Sequence, residues 1–139
     1  MSVTNSVGTI LNRPELESPR EFHTPVAINA TATATAAELA SGYISSTSAA
    51  ATSITLPTGT LLGAALGARR GTVFSFYIDN TAGANTVTIV VAANGILSTG
   101  AADTAGSFGD LTIASGVTGI GKFTCMFASA TAYVFTRVA

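Results

Sequence analysis

The chain has 139 residues, only 9% of them charged, and a formal net charge of −1. Soluble domains average about 25% charged residues, so here Ser, Thr, Gly and Ala must cover most of the surface. No basic stripe exists for tracking phosphates, and no apolar window is long enough for a spanning helix; neither nucleic acid nor a bilayer is therefore an expected partner.

The length suits one domain that buries roughly two-thirds of its unfolded surface. A mean hydropathy of +0.51 with so few charges leaves a surface poorly defended against association. The single cysteine, Cys125, excludes a disulfide within the chain. The first residues have neither a positive n-region nor an apolar h-region, so no secretion signal is expected. Synthesis and folding in a reducing cytoplasm fit both observations.

Residues 1–25 read as an extended arm and residues 26–139 as a β-domain. The stretch from Asn12 to Pro25 holds three of the four prolines, which exclude helix and favour an extended path. Leu11, Leu16 and Phe22 are candidate anchors of this arm on a partner, with Arg13, Glu15, Glu17, Arg20 and Glu21 available for pairing. A solvated tail is the competing reading.

Val26-Ala27-Ile28 opens the folded part as a short strand. Thr35 and Glu38 have capping-box spacing, Ala36 to Ala40 propagate a turn, and Gly42 stands where a helix stops. Strands follow at residues 43–45 and 52–56, the second ended by Pro57. Leu61, Leu62, Ala65 and Leu66 mark the face of a short helix closed by Gly67. From Thr72 to Val91 the alternation is densest: Phe74, Phe76 and Ile78 share one face, and Val87, Ile89 and Val91 share another. With Asn80 to Asn85 between them, these arms read as a central hairpin. Short strands are expected at residues 95–98 and 111–113. A final hairpin runs from Gly121 to Val138 through Ser129-Ala130 and places Phe123, Cys125 and Phe127 on one face. Evenly spaced strands with Gly-rich turns predict an all-β fold, an antiparallel sandwich of jelly-roll type or a small barrel, with one or two short helices.

Little in the sequence carries chemistry. His23 is the one histidine, in the Pro-rich arm, where a solvated or interface role outweighs a catalytic one. Asp79, Asp103 and Asp110 match no calcium-loop spacing, and no zinc ligand set exists. No catalytic residue, metal or cofactor is expected. Arg69 and Arg70 stand out in so uncharged a domain as candidates for pairing between subunits or with a partner, with Asp79 or Glu38 as carboxylates; a solvated loop pair is the competing reading.

The run as a whole carries a pattern. It comprises Leu39-Ala40-Ser41-Gly42-Tyr43-Ile44, Leu56-Pro57 before a short helix, Asn80-Thr81-Ala82-Gly83-Ala84-Asn85, and the closing Phe127-Ala128-Ser129-Ala130-Thr131. Over about residues 30–138 it resembles small virion structural proteins of tailed bacteriophages, the kind that decorate or cement capsids or form head fibres. The resemblance implies a non-enzymatic β-domain, commonly a homotrimer, on the capsid exterior, with the major capsid protein and copies of itself as partners. The alternative from another class is a carbohydrate-binding β-sandwich module of a phage fibre or receptor-binding protein. A small hydrolase is disfavoured by the isolation of His23.

Overall fold

The computed structural model describes residues 20–97 and 111–139. From Val26 onward the chain winds back and forth between two sheets. Strands β1 (Val26–Ala27), β3 (Tyr43–Ser45) and β5 (Val73–Asp79) enter one sheet; β2 (Ala32–Thr33), β4 (Thr52–Thr55) and β6 (Val87–Val90) enter the other. Each strand lies parallel to its counterpart from the previous circuit. Ile44 stands opposite both Val26 and Ile78, and Ile54 opposite both Ala32 and Ile89.

Antiparallel pairing enters with the later strands. β8 (Thr112–Ile113) pairs with β6, and β9 (Ile120–Ser129) lies against β5 and forms a hairpin with β10 (Ala132–Arg137). β7 (Gly95–Leu97) runs parallel to β10. The result is a six-stranded sheet in the order β1-β3-β5-β9-β10-β7 and a four-stranded sheet in the order β2-β4-β6-β8.

The expected all-β antiparallel sandwich or barrel is therefore corrected: both sheets are mixed, and two short helices join them in a mixed α/β arrangement. The expected central hairpin is corrected with it, because β5 and β6 lie in different sheets. Alternation specifies which side chains face inward but not which strand is the neighbour. Asn80, fully buried, decides the path after β5. Its side-chain amide donates to the carbonyls of Asn85 (2.8 Å) and Ile113 (3.0 Å), and its backbone N–H donates to Gly119 (2.6 Å). The chain is thus tied to β8 and to the turn before β9 as it crosses between sheets.

Helix α1 (Ala36–Ala40) forms as its sequence predicts. Thr35 Oγ1 accepts from the Glu38 N–H, Glu38 Oε2 accepts from the Thr35 N–H, and Gly42 follows at φ +85°. Helix α2 (Gly59–Leu66) is capped by Thr58 and ends in left-handed Gly67, but it turns a different face inward. Gly59, Leu62 and Gly63 are buried while Leu61 is exposed. The glycines let the helix press on the backbone of the final hairpin, where a Cβ at Gly63 would collide with the Ala130 carbonyl. That hairpin turns through Ala130-Thr131, one residue later than expected, with Ser129 paired to Ala132.

The core between the sheets is aromatic on one side and aliphatic on the other. Phe76 stacks on Phe123 at 5.3 Å between centroids, and contacts continue through Phe135 and Tyr133 to Phe127. Ile54, Leu56, Val87, Ile89 and Ile113 face them as part of the same buried cluster. Cys125 sits among the aromatics, and burial pushes its thiol up to about 12. The Tyr133 hydroxyl donates to the Pro57 carbonyl at 2.9 Å, and burial raises its pKa well above the ordinary value. Truncating either of two fully enclosed rings, by Phe76→Ala or Phe127→Ala, should cost about 3–5 kcal/mol in urea titrations. A loss below about 1 kcal/mol would contradict their burial.

Candidate functional site: the outer face of the six-stranded sheet

A strand that sends Phe76, Phe123 and Phe135 inward must send their neighbours outward. The register of four adjacent strands places Val73 opposite Met126, Met126 opposite Val134, and Val134 opposite Ile96. These four apolar side chains form a straight row across β5, β9, β10 and β7, each 38–57% exposed. A parallel row of hydroxyls lies beside it: Ser75, Thr124 and Thr136, with Ser75 and Thr124 hydrogen-bonded at 2.9 Å.

Further along the same face is an aromatic groove. Tyr43 and Tyr77 stand opposite each other in register, 6.2 Å apart, and Lys122 Nζ lies 5.5 Å from the Tyr77 centroid. Residues 21–25 cross above them as a strap and, with Ser45 and Asp79, enclose an open groove of about 600 Å³.

His23 pins the strap. Its ring lies 5.9 Å from that of Tyr77, Nδ1 donates to the Ser41 carbonyl at 3.1 Å, and Nε2 faces Glu21 Oε1 at 3.2 Å. A carbonyl and a carboxylate only accept, so both contacts are hydrogen bonds when the ring carries both protons. Gly42 makes this approach possible: a Cβ there would lie 2.5 Å from His23 Nδ1.

Asp79 anchors the other side of the groove. Oδ2 accepts from the Tyr43 hydroxyl at 2.8 Å, while Oδ1 accepts from the Thr81 N–H (2.9 Å) and hydroxyl (2.7 Å). Burial pushes the carboxyl up, but Thr81 and Tyr43 together outweigh it and hold the pKa below its ordinary value. The same hydrogen bond, with burial second, raises the pKa of Tyr43.

Among the described residues no group of three or more His, Cys, Asp or Glu side chains is placed to hold a metal ion. What the face offers is contact area: an apolar row, two tyrosine rings and a fixed carboxylate. Of the arm residues singled out in the sequence, Leu11, Arg13, Glu15, Leu16 and Glu17 lie outside the described residues. Arg20 is exposed where the strap begins, and Phe22 rims the groove with 87% of its surface open. Arg69 and Arg70 are exposed in the turn between α2 and β5. Within the chain Glu38 accepts from its helix cap, and Asp79 accepts from Tyr43 and Thr81. His23, expected in a solvated or interface role, is partly exposed and pins the strap. Alternation in β5 puts Tyr77 and Asp79 on the face opposite Phe76, but their meeting with Tyr43 depends on the parallel pairing of β3 with β5, which has no local signal.

No family model, no curated protein and no solved structure matches this chain.

Because the Asp79 carboxyl titrates below its unfolded value, its contribution to stability is full above that value and is lost as pH falls through the folded one. Stability should therefore drop below about pH 4. Tyr43→Phe removes one donor and should move the Asp79 titration upward in a carbon-13 NMR pH series. An unmoved titration would show that the Tyr43 hydrogen bond does not hold the carboxylate.

Proposed function

We propose that this chain is a structural protein that acts by association, assembling with copies of itself and with a larger particle. The observation that carries the reading is the straight apolar row Val73–Met126–Val134–Ile96 on a face flanked by hydroxyls rather than charges. An exposed apolar patch rimmed by polar residues is the mark of an interaction surface. The sequence resemblance supplies the setting: the exterior of a tailed-bacteriophage capsid, which the protein decorates or cements as a homo-oligomer bound to the major capsid protein. In that reading it is made in the host cytoplasm, carries no catalytic site and needs no cofactor.

The arm of residues 1–25 is the proposed attachment to the particle. Among the described residues the buried core begins at Ile28, so a chain starting at Val26 should keep the fold and lose most of its affinity for capsids. Full-length and shortened chains would be compared on virions stripped of this component; equal occupancy would remove the arm from the account. Quantitative mass spectrometry of the encoding phage's virions should find the chain in a fixed ratio to the major capsid protein. Its absence from purified virions would overturn the virion reading.

One observation favours a second reading. The Tyr43 and Tyr77 rings beside Asp79 could stack on and hydrogen-bond a sugar, as a carbohydrate-binding module requires. A glycan array tests it directly.

A further inference from the structure

We infer that the aromatic groove beneath the strap seats an arginine side chain presented by the larger particle. This deepens the structural reading above and rests on it, naming the chemistry by which the partner is recognised.

The lining is rich in acceptors. Glu21 and Asp79 are its two carboxylates, and no Lys or Arg lines it. An ionised carboxylate has about four acceptor sites. Asp79 fills three of them with the Tyr43 hydroxyl and the N–H and hydroxyl of Thr81, which leaves one on Oδ2. Those hydrogen bonds favour its charged form. Glu21 turns Oε1 to His23 and makes no hydrogen bond through Oε2 among the described residues. Tyr43 spends its one hydroxyl proton on Asp79 and offers the groove only lone pairs. A protonated His23 would cancel one of the two negative charges and leave the other. The lining therefore favours a ligand that donates hydrogen bonds and carries positive charge.

The rings decide which cation. Tyr43 and Tyr77 lie 6.2 Å apart, inclined by 33°, and form the floor. Lys122, opposite Tyr77 on β9, holds its ammonium 5.5 Å from the Tyr77 centroid, so this ring already attracts a cation. The groove lies toward Tyr43, on the β3 side. A guanidinium is planar and stacks on a ring by its face while its edge donates to a carboxylate. An ammonium, compact and strongly hydrated, has no such face.

The openness of the groove decides the source. Small-molecule sites enclose about 70–90% of their ligand, whereas this groove is walled by the strap and the sheet alone. A side chain fixed to a partner needs no such enclosure. The groove also shares the outer face with the apolar row, Tyr77 standing four residues along β5 from Val73.

Titration of the full-length chain with a capped Gly-Arg-Gly peptide tests this, followed through the NMR signals of the Tyr43 and Tyr77 rings and the Asp79 carboxyl. One guanidinium makes few contacts, so saturation in the millimolar range is expected, weakening as salt rises. The same peptide with citrulline, which keeps the shape and loses the charge, should bind about fivefold more weakly, as should the lysine peptide. Glu21→Gln, on an exposed side chain, should weaken binding of the arginine peptide about threefold and leave the fold intact. No saturable shift, equal binding of the citrulline or lysine peptide, or an unchanged constant in Glu21→Gln overturns the assignment. A neutral oligosaccharide that shifts the same signals where the arginine peptide does not overturns it as well. None of these failures bears on the ratio of this chain to the capsid protein in virions, which tests the structural reading separately.

Discussion

The packing of Phe76, Phe123, Phe135, Tyr133 and Phe127 against one another is the contact on which the rest of the molecule depends. These rings come from three adjacent strands and fill the space under the six-stranded sheet. Because the strand period is two, burying them fixes what faces outward, and a slip of one residue would exchange the two sets. Val73, Met126 and Val134 are exposed for the same reason that Phe76, Cys125 and Tyr133 are not. The apolar row is a consequence of the core's register rather than a feature that can shift independently of it.

Much of this was legible in the residues. The inward faces of β5, β6 and β9 follow from alternation, α1 from its capping box, and the closing hairpin from two long runs joined by small residues. Neighbour relations were not legible. β5 and β6 have the alternation of a hairpin and turn-forming residues between them, yet Asn80 ties that connection to β8 and to the Gly119 backbone, so the chain crosses instead of turning back. The parallel ladders join residues a full circuit apart, and no local pattern encodes them. Helix α2 failed for a related reason. Its apolar positions suggested Leu61 inward, whereas contact with the final hairpin selects the side that lacks side chains at Gly59 and Gly63. The groove escaped notice because its parts come from the strap, β3 and β5, which meet only once the circuits are stacked.

A chain with so few charges sets an apolar row across four strands of its six-stranded sheet, from β5 to the edge strand β7. His23 and Gly42 fasten the strap above the tyrosines, which carries Glu21 to the rim of the groove. In the association proposed above, surface complementarity supplies the contact and no catalytic group is needed.

In the association proposed above, a partner covers the Met126 side of β9, while folding buries the Cys125 side. Oxidation by dilute hydrogen peroxide, followed by peptide mass spectrometry across a series of protein concentrations, reads both sides of the strand at once. The account predicts that Met126 is oxidised readily at high dilution and becomes protected as concentration rises, with Cys125 unmodified throughout. Oxidation of Met126 at one rate at every concentration, or modification of Cys125 in the folded chain, would contradict it.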